Sequence, residues 1–187
     1  VTEIQIIVGS TRPGRLGLPI SKWLHKEIDS LDISDVNFEI VDLSDYNLPL
    51  LDESNLPAMQ KYENDHSKKW SETIARADGY IIVTPEYNHS VPGAVKNAID
   101  FLFNEWKYKP MAFVGYGSVG GVRSIEQLVN AAVGVNAFPL RDQMHIYEPW
   151  AAIDEEGNVK SENIKGDLRV LVDNLVLVAN GTKDLRS

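Results

Sequence analysis

Residues 9–17 read Gly-Ser-Thr-Arg-Pro-Gly-Arg-Leu-Gly, so hydroxyls, guanidiniums and glycines share one short stretch. Glycine lets backbone N–H groups come close to a ligand. Ser10 and Thr11 add hydroxyl donors, and Arg12 and Arg15 add charge-assisted hydrogen bonds. The chain as a whole is acidic, with a formal net charge of −9. Two arginines in one loop of such a protein point to a bound anion. The dinucleotide pattern G-x-G-x-x-G fails because Thr11 stands at its second glycine. The P-loop pattern is met at Gly9 and Gly14. It then fails at Arg15 and Leu16, which replace the lysine and the magnesium-binding hydroxyl. A terminal monophosphate, with about 1.5–2 negative charges, needs neither pyrophosphate geometry nor a metal. The plain alternative is a solvated turn with its arginines pointing outward.

Two further segments carry chemistry. Pro85-Glu86-Tyr87-Asn88 is a turn whose backbone groups and side chains can meet the edge of a heterocycle, or a proline-initiated turn with no ligand. Glu86 has no carboxylate or metal partner in the sequence, so a structural or ring-edge role is expected of it. Tyr116-Gly117-Ser118-Val119-Gly120-Gly121 offers glycines that allow a flat ring to approach the backbone. It also resembles the hydrolase elbow G-x-S-x-G, with Tyr116 at the first glycine. Asp142 and His145 follow in the order a hydrolase needs, which keeps that alternative open. Three positions apart on one strand, however, they point to opposite faces. The histidines at 25, 66, 89 and 145 show no metal-ligand spacing. The acidic turn at Asp154 lacks the spaced ligands of a calcium loop. No metal site and no catalytic side chain are expected.

The elements that position these loops follow from the hydrophobic pattern. Apolar runs at Ile4–Val8, Val36–Leu43, Tyr80–Thr84, Met111–Tyr116 and Leu140–Ile146 predict strands. The fifth, interrupted by polar residues, reads as an edge. Helical spacing places Ile20, Leu24 and Ile28 on one face, Trp70 and Ile74 on another, and Val95, Ile99 and Leu102 on a third. Pro92 suits the first turn of that third helix. Further helices are predicted over Arg123–Val133 and about Ile164–Ala179. Ser44–His66 is too long for a structureless loop and is expected to hide a helical turn. Alternating β and α units give a three-layer α/β/α, doubly wound sheet of five parallel strands. Ligands of such sheets sit beyond the carboxyl ends of the strands. The loops at 9–17, 85–91 and 117–121 all fall there.

Composition limits the rest. A length of 187 residues with 43% hydrophobic and 24% charged residues suits one domain, residues 1–187. Cysteine is absent, which removes disulfides and thiolate chemistry and fits a reducing cytoplasm. The acidic balance argues against nucleic acid and anionic membrane as partners. No apolar run approaches the ~20 residues of a membrane span, and no signal peptide is expected from the first residues.

The motifs together resemble those of the NAD(P)H-dependent FMN reductase family. Gly-Ser-Thr-Arg-Pro-Gly-Arg at 9–15 is similar to its phosphate loop. The run from Pro85 to Asp100 is similar to its second signature, and Tyr-Gly-Ser-Val-Gly-Gly at 116–121 to its third. The order and spacing agree up to about Ile146. The resemblance implies a flavodoxin-like fold with strand order 2-1-3-4-5, bound FMN, and NADPH or NADH as hydride donor. It carries the phosphate role to Ser10, Arg12 and Arg15, with Thr11, Leu16 and Gly17 nearby. Ring and ribityl contacts fall to Pro85, Glu86, Tyr87, Asn88, Gly117 and Ser118, and Tyr116 and Gly120 complete the cofactor-binding candidates. The implied cycle is ping-pong, with the chemistry carried by the flavin. The acceptor is a small molecule: free flavin, a quinone, an azo compound or a metal oxyanion. Many family members are homodimers or homotetramers, with helices like those beginning near Pro92 and Arg123 usually building the dimer contact. The alternatives are a flavodoxin-type electron carrier and a flavin-binding redox sensor. Such carriers usually cradle the phosphate in neutral loops, so the arginines favour the reductase.

Overall fold

The computed structural model describes residues 1–186. Among them, strands and helices alternate along the chain. The strands are β1 Thr2–Val8, β2 Val36–Asp42, β3 Gly79–Pro85, β4 Pro110–Gly117, β5 Phe138–Tyr147 and β6 Ile164–Lys165. The helices are α1 Gly17–Asp29, α2 Asp65–Ala75, α3 Gly93–Asp100, α4 Val122–Gly134, α5 Pro149–Ala152 and α6 Leu168–Gly181. The sheet runs β2-β1-β3-β4-β5-β6. Its first five strands pair in parallel, in the order expected of the sequence.

The strand count differs from that expectation. The short β6 pairs antiparallel with β5 through Ile146–Ile164 and His145–Lys165, so the sheet is six-stranded and β5 is not its edge. A two-residue strand is too short to show alternation, so the pattern alone extends the last helix back to Ile164. The helix in fact begins later, at Leu168. Gly166, at φ +107°, breaks the chain, and Asp167 caps α6 by accepting the Val170 N–H at 3.1 Å. Pro92 is the N-cap of α3 rather than part of its first turn, and α3 ends before Leu102. The 44–66 segment contains helical turns, as its length demanded. One spans Leu43–Asp45, another Pro57–Met59, and α2 starts at Asp65.

Strand alternation divides the core into two layers. Ile4, Ile6, Ile81, Val83, Ala112, Val114 and Tyr116 face α1 and α6. Ile7, Tyr80, Ile82, Met111 and Phe113 face α2, α3 and α4. All residues of β3 are buried, which explains its unbroken apolar run. Trp70 of α2 is fully buried, and its indole N–H donates to the Ala98 carbonyl of α3 at 2.8 Å. Among the described residues, no helix is long and apolar enough to cross a membrane.

Candidate functional site

The carboxyl end of β1 runs directly into the first loop. Gly9 is required there because a Cβ would lie 2.6 Å from the Val83 carbonyl oxygen and 2.8 Å from Val95. Ser10 is buried, and its Oγ accepts a hydrogen bond from the Tyr116 hydroxyl at 3.2 Å. The Ser10 proton is thereby left to donate to another acceptor. Burial pushes the Tyr116 hydroxyl up to about 12, against the opposing fields of Arg12 and Arg15, so it stays a neutral donor. Gly17 opens α1 over this pair. A Cβ on it would sit 2.8 Å from the Tyr116 Oη and 2.9 Å from the Ser10 Oγ.

The N-terminus of α1 carries no side-chain cap at Leu16 and no acidic residue in its first turn. Its first N–H groups and the positive end of its dipole therefore face outward unanswered. Arg12 is exposed and holds only the neighbouring Pro13 carbonyl, at 3.3 Å. Arg15 is placed differently. Its guanidinium forms an ion pair with Asp42 at the end of β2, and its Nε is buried without a partner. Asp42 also accepts the Ser44 N–H at 3.0 Å, so one carboxylate fixes both the turn after β2 and the arginine.

The second loop is a tight hairpin. The Tyr87 and Ser90 backbones exchange two hydrogen bonds of 3.1 Å, and Asn88 and His89 take φ of +50° and +65° at the tip. Glu86 points inward. Its carboxylate accepts from the Arg123 guanidinium at 2.7 Å and from the Arg123 N–H at 3.0 Å, which caps the start of α4. The structural role expected of Glu86 is this one. In the third loop the Gly117 carbonyl accepts the N–H groups of Gly120 and Glu148, each at 3.1 Å. Gly120 lies beneath the loop at φ +69°, where a Cβ would meet His145 at 2.8 Å.

One cleft joins the loops. Arg12, Arg15 and Leu16 line it from the first, Pro85, Glu86 and Tyr87 from the second, and Tyr116 and Gly117 from the third. Pro149 and Trp150 of α5 complete it. Ser10 and Gly17 lie under its floor, through their contacts with Tyr116. Asn88 and Ser118 are exposed at loop tips and do not border it. Thr11 lines a neighbouring hollow of about 360 Å³ with Ser44, Asn47 and Asn97. Sequence reasoning missed Pro149 and Trp150. Their signal was available, since the end of β5 shares the carboxyl edge with the other loops.

The hydrolase constellation is not assembled. The His145 ring is engaged with the Gly120 carbonyl at 2.9 Å, while Asp142 accepts from Asn174 of α6 at 2.7 Å. Acid and imidazole thus sit on opposite faces of β5, and Ser118 is exposed. What the arrangement can do is hold an anion against Arg12 and the α1 N-terminus, with a flat group resting on the second and third loops.

A family model described as NADPH-dependent FMN reductase matches residues 2–150. The chain is 42% identical over 132 residues to an NAD(P)H-dependent FMN reductase of Nectria sp., covering 68% of this chain and 66% of that protein. The match therefore spans slightly less than two thirds of that relative's own length. A 2-hydroxy-1,4-benzoquinone reductase of Burkholderia sp. is 31% identical over 182 residues, covering 91% of this chain and 92% of the relative. Among solved structures, the flavoenzyme NAD(P)H:(acceptor) oxidoreductase FerB of Paracoccus denitrificans superposes with a TM-score of 0.69. It is 25% identical, with 96% of each chain covered.

Proposed function

The chain belongs to the NADPH-dependent FMN reductase family, and from that membership we propose that it binds FMN in this cleft and oxidises NAD(P)H. The observation that carries the reading is the joining of an exposed arginine and an uncapped helix N-terminus to two backbone loops in one cleft. The residues fit the group. Arg12, the first N–H groups of α1 and the Ser10 hydroxyl hold the phosphate, and the unpartnered Arg15 Nε is a further buried donor beside them. Pro85, Tyr87 and Gly117 receive the ring, and the pairing of Glu86 with Arg123 keeps its carboxylate from repelling negative charge there. When bound, FMN supplies the redox chemistry, accepting hydride from the nicotinamide and delivering electrons to the acceptor. The protein would position the ring and supply N–H donors, and a single cleft shared by donor and acceptor supports their use of it in turn, a ping-pong order. The 187 residues act as one flavin-binding unit. The quinone-reductase relative supports a quinone as acceptor. Use of the NAD(P)H pool supports a cytoplasmic location. Exposed Val122 and Val133 on α4 support a homodimer.

The test is a visible absorption spectrum after loading with FMN and removal of the excess, taken before and after anaerobic NADPH. Retained flavin bands that bleach are the expected result. Retained bands that neither NADPH nor NADH bleaches would instead favour an electron carrier. Absence of flavin uptake would overturn the reading.

A further inference from the structure

The chain has four tryptophans. Trp23, Trp70 and Trp106 are buried, whereas Trp150 is 64% exposed. Leaving so large an aromatic surface in water forgoes burial that ordinarily stabilises a fold. Nor is Trp150 carried on a loose segment. Pro149 and Ala152, on either side of it in α5, are buried. The Glu148 N–H donates to Gly117 at 3.1 Å, and the N–H groups of Ala151 and Ala152 return to the Glu148 carbonyl at 2.9 and 3.0 Å. Lys160 holds the far end, donating from its backbone N–H to Ala152 at 2.9 Å and from Nζ to Ala151 at 3.0 Å. The indole is therefore presented on a fixed support.

What it is presented to is specific. Trp150 shares the cleft with Arg12, Arg15 and Leu16 of the first loop and with Pro85, Glu86, Tyr87, Tyr116 and Gly117 of the other two. The cleft encloses about 150 Å³. Whole small-molecule sites run to about 300–1,000 Å³, so only part of a ligand the size of FMN is enclosed and the rest lies along the loops. The anionic end is drawn to its first-loop side, where Arg12 has no carboxylate partner.

Resting on the FMN reading above, we propose that Trp150 walls the cleft over the ribityl phosphate end of bound FMN and sets how long the flavin stays. The indole face lies against the ribityl chain and excludes water from the Arg12–phosphate contact, which strengthens it. The indole N–H is a donor for a ribityl hydroxyl or phosphate oxygen. Attraction of the anion to the cleft depends on Arg12 and the α1 dipole, so Trp150 acts on release and not on capture.

The experiment measures FMN release from the loaded holoprotein after large dilution, by the recovery of free-flavin fluorescence. It compares wild type, Trp150→Ala and Trp150→Phe. Because Trp150 is exposed, both variants should melt with the wild type in thermal scans without flavin. We expect Trp150→Ala to release FMN about tenfold faster, equivalent to about 1.4 kcal/mol, with an unchanged association rate. Trp150→Phe should restore most of the retention. Release from Trp150→Ala at the wild-type rate would overturn the inference alone. Unchanged release with a raised KM for a benzoquinone would overturn it too, placing Trp150 against the acceptor. A wild type that takes up no FMN would overturn both the proposed function and this inference.

Discussion

Arg12→Ala separates the phosphate assignment from every other feature of the site. In the structure Arg12 is exposed and makes one long hydrogen bond, to its neighbour Pro13. Its removal should therefore change the unfolding free energy by no more than about 0.5 kcal/mol. In the complex its guanidinium would face a phosphate of about two negative charges, and a hydrogen bond to a charged group contributes about 1.5–3 kcal/mol. That converts to an FMN dissociation constant raised roughly 10- to 150-fold. The assay is titration of the apoprotein by quenching of flavin fluorescence, with FMN and with riboflavin, at low and moderate salt. Riboflavin has the same ring and ribityl chain without the phosphate. The variant should lose affinity for FMN alone, and its FMN affinity should depend less on salt than that of the wild type. Equal losses for both flavins, or none for FMN, would refute the placement of the phosphate at this loop.

Two further perturbations probe the support beneath the site and the opposite end of the sheet. Gly17→Ala forces a methyl to within 2.8 Å of the Tyr116 hydroxyl and 2.9 Å of the Ser10 hydroxyl. It should cost about 1–3 kcal/mol of stability, as overpacking of a filled interior does, and loosen FMN by breaking the Tyr116–Ser10 hydrogen bond. Thermal denaturation reads the first effect, at about 2–4 °C per kcal/mol for a chain of this size. Lys109 is buried, and its Nζ donates to the Ile74 and Ala75 carbonyls and to the Tyr80 oxygen. Desolvation, with Arg186 adding to it, lowers its pKa to about 7. Above that value the native protein has released a proton that the unfolded chain keeps until about pH 10.4. Wild-type stability is thus raised as pH climbs from 7 towards 10, and below 7 the cost of burying the charge is present in full. Against Lys109→Met, which cannot titrate, urea denaturation should show the difference moving in favour of the wild type between pH 6.5 and 9.5. A flat difference would mean the amine stays charged in the fold.

The sequence made the strands and loops legible because burial on both faces leaves an unbroken apolar run, and because close backbone approach leaves glycine. Alternation along β4 even indicates that Tyr116 shares a face with Ala112 and Val114, beneath α1. What stayed hidden were relations between distant segments. Trp150 became a wall of the cleft only once Glu148 was seen tied to Gly117. The ion pair of Arg15 with Asp42 depends on the parallel register that sets Val8 beside Asp42, and no motif spacing encodes it. That pair changes the electrostatic argument made from the motif. Two arginines in the loop suggested two phosphate clamps of equal weight. With Arg15 neutralised by the largely buried Asp42 carboxylate, the charge that an arriving phosphate meets comes from Arg12 and the α1 dipole. Arg15 contributes its unpartnered Nε as a donor held in place. The loop is therefore one exposed cation and one fixed donor, and counting its arginines overstates its charge while missing the fixed placement of Arg15.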